Sequence, residues 1–256
     1  MKILITNDDG VMSKGILAAR DAVKDLGETT IVAPVTQQSG VGHAITLMKP
    51  LRATKMKLND GSEGYSVTGT PTDCVILGSK GILDEEPDLI ISGINLGENL
   101  SKSITTSGTL GATFEAASFK IPTIAVSLQV IREDLKFKDG VMEIDFTNAE
   151  RILRKFAKKV IEYGMPEGVS VLNLNIPVNP VSDDIVQANL AERMYSTDVE
   201  KRVDPYGHPY YWIVGDLIGE DEIGNDVHTL RVLNKPVVTP ISTDMGMDID
   251  ISKWLE

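Results

Sequence analysis

The sequence predicts a doubly wound α/β protein built on a mostly parallel sheet, and three observations carry that prediction. The first is Lys2-Ile3-Leu4-Ile5-Thr6, an apolar run without polar alternation, as expected of a strand covered on both faces. It ends abruptly in Asn7-Asp8-Asp9-Gly10. The second is the unit that follows: a helix over residues 13–26, stopped by Gly27, then a β-branched strand over 29–33 closed by Pro34. Such a β-α-β unit is expected to cross over right-handed. The third is the return of apolar runs at 87–93, 122–128 and 169–176, separated by helical segments and loops.

Each element has its own signature. Helix 13–26 places Ile16, Ala19, Val23 and Leu26 on one face. The loop from Pro34 to His43 is polar and glycine-bearing, and leaves the second strand at the same edge as Asp8 and Asp9. Residues 51–58 and 65–68 flank Asn59-Asp60-Gly61 and read as a hairpin. Thr70 caps the next helix, with Pro71 at its first position. That helix holds Cys74 as a small buried residue. Residues 148–163 form an amphipathic helix with Ile152, Leu153, Phe156, Val160 and Ile161 on the buried face. After Pro177 the character changes. Tyr195, Tyr206, Tyr210, Tyr211 and Trp212 lie among charges and turn residues, and read as an arm containing strands and a candidate interface. A short helix over 226–233, a strand over 237–241 and an acidic tail reaching Trp254 complete the chain.

Composition narrows the function. A chain of 256 residues that is 42% hydrophobic fits one large α/β domain, alone or with an appendage. The formal net charge of -12, without basic runs, argues against binding duplex nucleic acid or an anionic membrane surface. There is no stretch of about 18 apolar residues and no charged-then-apolar leader before the first strand, so a cytoplasmic protein is expected. A single cysteine excludes an internal disulfide.

The chemistry starts at Asp8 and Asp9. Ionised carboxylates cannot remain in a dry strand, so both belong at the carboxyl-end crevice, where open α/β sheets bind ligands. No arginine follows within the next few residues to neutralise them, and a divalent cation would resolve their repulsion. Oxygen ligands suit magnesium, manganese or calcium. The alternative is an Asx-turn in which Asp9 caps the helix near Ser13. Two more strand-end loops add Ser39 and Asn95, giving two charged and two neutral oxygens for a magnesium or manganese site. Ser107-Gly108-Thr109 opens a helix, where free N–H groups and hydroxyls suit a phosphate, and Gly108 and Gly111 permit close approach. An ordinary Ser/Thr cap with a packing glycine would leave the same pattern. Metal-assisted phosphoryl transfer to water unites these features. The Walker lysine motif of ATP-driven chemistry is absent.

Asn7-Asp8-Asp9-Gly10, Gln38-Ser39-Gly40, Thr68-Gly69-Thr70-Pro71-Thr72-Asp73-Cys74, Ser92-Gly93-Ile94-Asn95 with Gly97 and Asn99, and Ser107-Gly108-Thr109 stand in the order and spacing of one family. Across nearly its whole length the chain resembles the SurE (survival protein E) nucleotidases, divalent-metal-dependent phosphatases of nucleoside monophosphates. The resemblance implies a three-layer α/β/α Rossmann-like fold with a projecting C-terminal part used for homo-oligomerisation, as a homodimer or homotetramer. It divides the chain into a catalytic core over 1–180 and an arm and tail over 181–256 that partly return to the core. It implies one Mg2+ or Mn2+ per subunit held by Asp8, Asp9, Ser39 and Asn95, with Asp8, Asp9 and Asn95 catalytic. Phosphate contacts from Ser107, Gly108 and Thr109, and a substrate contact from Asn99, follow in the same way. Substrates are nucleoside 5′-monophosphates, with 3′-nucleotides also considered.

The chain departs from the family pattern at Val35-Thr36-Gln37, at Leu96 and at Thr106, which touches substrate preference rather than the metal. His43, His208 and His228 have no partner legible in the sequence and stay outside the catalytic set. Two rival readings remain. An aspartyl-phosphate phosphatase would separate its two aspartates by one residue, whereas Asp8 and Asp9 are adjacent. A non-catalytic nucleotide sensor could dispense with the metal ligands, which this chain retains.

Overall fold

In β1 (Lys2–Thr6), Ile3 and Ile5 join one apolar cluster and Leu4 another on the opposite side of the sheet. The unbroken apolar run therefore serves two cores at once, as the sequence predicts for a strand sandwiched between helix layers. The same alternation recurs in β2 (Glu28–Pro34), where Ile31 and Ala33 face one way and Val32 the other. It recurs again in β5 (Leu89–Leu96), with Leu89 and Ile91 against Ile90. These features come from a computed structural model that describes residues 1–130, 144–218 and 222–255.

The remaining strands of the main sheet are β3 (Ala53–Lys57), β4 (Glu63–Val67), β6 (Thr123–Leu128), β7 (Val171–Ile176), β8 (Val186–Gln187) and, last in the chain, β11 (Val237–Ile241). Their order is β3-β4-β2-β1-β5-β6-β7-β11-β8. From β4 to β7 every pairing is parallel, while β3 and β11 run antiparallel to β4 and β7. The chain leaves β1 toward β2 on one side and later returns to β5 on the other, so β1 and β5 flank the topological switch point.

Helices α1 (Lys14–Val23) and α4 (Thr147–Tyr163) pack side by side on one face, and α2 (Pro71–Leu77) and α3 (Gly108–Ser118) on the other. This is the expected three-layer α/β/α arrangement. Ser13 caps α1 by accepting from the Ile16 N–H at 3.3 Å, so Asp9 is not the cap. In α2, Thr70 and Asp73 exchange reciprocal bonds as a capping box. One sequence expectation fails in α4. Ile161 is 38% exposed, because in the last turn only Val160 still faces the core and the next residue sits about 100° around the helix.

The C-terminal quarter is divided. The short helix α5 (Asp226–Arg231) and strands β8 and β11 lie against the main sheet. Strands β9 (Asp198–Val203) and β10 (Pro209–Val214) instead form a separate two-stranded ribbon, exposed at all twelve positions. Among the described residues no helix is long and apolar enough to cross a membrane.

Candidate active site

The turn after β1 is built by Asn7, which sequence reasoning passed over. Its side-chain amide donates to the Gly10 carbonyl at 3.2 Å and to Ser13 Oγ at 2.6 Å, while its oxygen accepts from the Gly10 N–H at 3.2 Å. This closes an Asx-type turn and leaves Asp8 and Asp9 at its crest. The turn is also tied to the loop after β2. Val11 donates to the Pro34 carbonyl at 2.8 Å, and Gln38 to the Asp8 carbonyl at 2.7 Å.

The two carboxylates then diverge. Asp8, with 4% of its surface exposed, accepts a 2.7 Å bond from the Thr109 hydroxyl at the start of α3. Asp9 accepts from the Leu96 N–H at the end of β5, at 3.2 Å. Gly108 is needed beside them, because a Cβ there would lie 2.9 Å from Asp8 Cβ and 3.1 Å from its carboxylate. Gly111 instead lets α3 press on the loop that carries Ser39, since its Cβ would lie 2.2 Å from the Gly42 carbonyl oxygen.

A cavity of about 220 Å3 opens at this edge, and Asp8, Ser39, Asn95, Asn99 and Ser107 all line it. The cavity thus brings together residues from position 8 to position 107 of the sequence. Asp9, half-buried, stands beside the lining, and Gly108 and Thr109 are buried behind it. Thr109 is fully buried with its hydroxyl on Asp8, so the side chain supports the carboxylate rather than facing the cavity. Asn95 donates its amide to the Gly97 carbonyl at 2.6 Å, so its oxygen is the atom that could serve a cation. Ser107 caps α3 by accepting from the Leu110 N–H at 3.3 Å, and its hydroxyl proton remains available to an anion.

The charge of the site is unbalanced. Burial pushes the Asp8 carboxyl above its usual range, against the opposing pull of the Thr109 hydroxyl. Burial first, and the charge of Asp8 second, push Asp9 up to about 7. Among the described residues no lysine, arginine or histidine lines the cavity. Glu98 lines it too, but its carboxylate is held by Arg231 from α5 and by the Val130 N–H at 3.3 Å. Among the described residues no three His, Cys, Asp or Glu side chains cluster as in a zinc site. Two raised carboxylates with a hydroxyl and an amide oxygen are a donor set that fits a hard divalent cation.

Support for the site comes from residues that carried no motif. Asn173 and Asn175 of β7, both fully buried, donate to the Asn99 carbonyl at 2.9 and 3.0 Å, and the Asn175 oxygen accepts from the Asn99 N–H at 2.8 Å. The Asn99 side chain donates to Ser127 Oγ at 3.0 Å. The readable signal was two asparagines in an otherwise apolar strand, a costly placement unless both are hydrogen-bonded. His43 has a partner after all: its Nε2 lies 2.9 Å from Glu115 Oε2 on α3, which fastens the Ser39 loop to that helix.

Fold and site together define a doubly wound α/β protein whose switch point holds two adjacent carboxylates, one buried and one half-buried, beside the hydroxyl-capped start of a helix. The chain belongs to the SurE family, since the family model "Survival protein SurE" matches residues 3–198. It is 72% identical to a protein of Methanosphaera stadtmanae named 5'-nucleotidase SurE, over the whole of both chains. A protein of the same name from Methanobrevibacter smithii is 52% identical, again over the full length of both. The crystal structure of the SurE protein from Aquifex aeolicus is 38% identical and superposes with a TM-score of 0.78, covering 96% of this chain and 95% of that one.

Proposed function

We propose that this chain is a phosphoric monoester hydrolase that converts nucleoside monophosphates to nucleoside and phosphate with the help of Mg2+ or Mn2+. It is an enzyme of the SurE nucleotidase family, and the names of its full-length relatives supply the substrate class. The observation that carries the metal is the charge of the cavity. Among the described residues the lining offers a phosphate monoester no lysine, arginine or histidine, and two crowded carboxylates with raised pKa values would both ionise readily only with a cation between them. Asp8, Asp9, Ser39 and Asn95 are the residues that would hold the ion. Bound there, it would supply the positive charge that polarises a phosphoryl oxygen and lowers the pKa of a water.

The protein's own groups do the positioning. Thr109 fixes Asp8, Leu96 fixes Asp9, and the Gly97 carbonyl fixes the amide of Asn95. Ser107 donates its hydroxyl proton to a phosphoryl oxygen at the positive end of α3. Water then attacks phosphorus directly: its oxygen forms the new P–O bond as the ester P–O bond breaks, and the nucleoside oxygen leaves with a proton. Both 5′- and 3′-monophosphates present the same group to this edge. The exposed β9–β10 ribbon is the arm through which subunits pair as a homodimer or homotetramer.

A phosphate-release panel over nucleoside mono-, di- and triphosphates, with Mg2+, Mn2+ or EDTA, tests the reading. Release from monophosphates that stops in EDTA is expected, and release unaffected by EDTA contradicts it. A chiral thiophosphate hydrolysed in labelled water should show one inversion at phosphorus. Net retention would mean a covalent enzyme intermediate.

A further inference from the structure

The lining of the cavity is not all polar: Leu96, Leu100, Ile104, Met194 and Tyr195 contribute to it as well. Leu100, Ile104 and Met194 are at most 4% exposed and belong to the packing beneath, whereas Leu96 and Tyr195 are only half-buried and offer their surface to the cavity. We infer that Tyr195 is the platform on which the nucleobase of the substrate stacks. This rests on the proposed nucleotidase reading and extends it to the leaving group.

The position of Tyr195 is well determined, as a stacking surface requires. Met194 accepts from the Ile218 N–H at 2.7 Å, Ser196 donates to the Asp216 carbonyl at 2.9 Å, and Tyr195 itself bridges to Leu217. One step earlier, the buried Asp226 carboxylate accepts from the backbone N–H groups of Ala191 at 2.9 Å and Ser101 at 2.8 Å. One side chain thus joins the segment bearing Tyr195 to the loop between β5 and α3. A ring held in this way loses little freedom when a flat ligand lies on it. Glu98 of the same lining is paired with Arg231 and so presents no free charge to a base.

Stacking of a base on an aromatic side chain corresponds to roughly a ten-fold effect or more on replacement. The full-length protein, loaded with Mn2+, is assayed for kcat/KM on AMP and on glycerol phosphate, which has the ester but no ring. Tyr195→Leu should lower the AMP value about ten-fold, mainly through KM, and leave glycerol phosphate within two-fold. Tyr195→Phe keeps the ring and should hold both values near wild type, so a loss confined to the leucine variant is not a folding defect. Calorimetry with adenosine alone reads the platform without turnover, and its binding should weaken in Tyr195→Leu but not in Tyr195→Phe. Equal losses on both substrates, or adenosine binding unchanged in Tyr195→Leu, would overturn the assignment. A wild-type protein that releases no phosphate from AMP refutes the nucleotidase reading instead, while the adenosine titration still decides the platform.

Discussion

At the carboxyl edge of β1 charge is buried, with Asp8 only 4% exposed, whereas on the β9–β10 ribbon apolar surface is left in water, with Tyr211 60%, Trp212 55% and Ile213 81% exposed. Each arrangement is unfavourable in isolation. A buried carboxylate pair raises its own pKa values, and a two-stranded ribbon without a packed face is marginal in water. They differ in what surrounds them. The carboxylates sit in a frame fixed by Asn7, Thr109, Leu96 and Gly108, while the ribbon has bonds between its own strands and little behind them. The difference teaches that a departure from ordinary burial inside a rigid frame fits the small-ligand site proposed above, whereas one on an unsupported surface fits the proposed pairing with another chain.

The largest effect is expected from Asp8→Asn. Removing one charge from the frame should lower turnover more than about 100-fold, since even indirect supports of metal ligands cost 10–100-fold. Circular dichroism should show the fold retained, and the metal-free melting temperature should hold or rise because carboxylate repulsion is relieved. Near-normal turnover at saturating metal would return Asp8 to a structural role.

Next is Ser107→Ala, which removes a hydrogen-bond donor to a charged ligand. Phosphate binding by calorimetry should weaken by about 1.5–3 kcal/mol. Because Ser107 also caps α3, the protein should lose about 1 kcal/mol of stability as well. Thr109→Val sharpens the distinction between facing the cavity and supporting it. Its hydroxyl is spent on Asp8, so this change should disturb metal affinity at least as much as phosphate affinity. Unchanged metal affinity would place Thr109 outside the frame.

A smaller, pH-dependent effect belongs to Asp9. An acid whose folded pKa exceeds its unfolded value binds its proton more tightly when folded. Stability from this source is therefore full below about pH 3.8 and is lost as pH rises through about 7. Metal-free Asp9→Asn should match wild type near pH 4.5 and melt higher by pH 8, by roughly 4–8 °C if the relief is worth about 2 kcal/mol. A difference that does not change with pH would contradict the buried-pair description. The smallest effect on the site should come from the other region. Trp212→Ser with Tyr211→Ser should dissociate the oligomer by light scattering and leave melting of the main sheet little changed, and a wild-type protein already monomeric at micromolar concentration would remove the arm's role.

How much of this was legible follows the same division. The parallel strands were readable because burial on both faces leaves unbroken apolar runs such as Ile3-Leu4-Ile5, and the cap at Thr70 because Pro71 and Asp73 accompany it. Asp8, Ser39 and Asn95 were legible as oxygen donors in strand-end loops and Ser107 as a hydroxyl at a helix start, and all four line the cavity. Asn7 was quoted only within a motif, although its partners Gly10 and Ser13 are local; Asn173 and Asn175 stood out as polar residues in an apolar strand, but their partner Asn99, up to 76 residues away, is nothing that periodicity reveals. His43 was left unassigned for the same reason, its partner Glu115 lying 72 residues on. The exposure of Ile161 was missed because helical spacing gives a direction but not where the sheet stops.

The central claim is that Asp8 and Asp9 form a cation site, and a titration of Mn2+ into the metal-free protein, followed by calorimetry in buffers of different ionisation heat near pH 6.5, tests it most directly. Asp9 at about 7 is partly protonated there, so binding should release protons. The account predicts one Mn2+ per chain with proton release, and loss of most of that affinity in Asp8→Asn. Equal Mn2+ affinity in wild type and Asp8→Asn, without proton release, would contradict it.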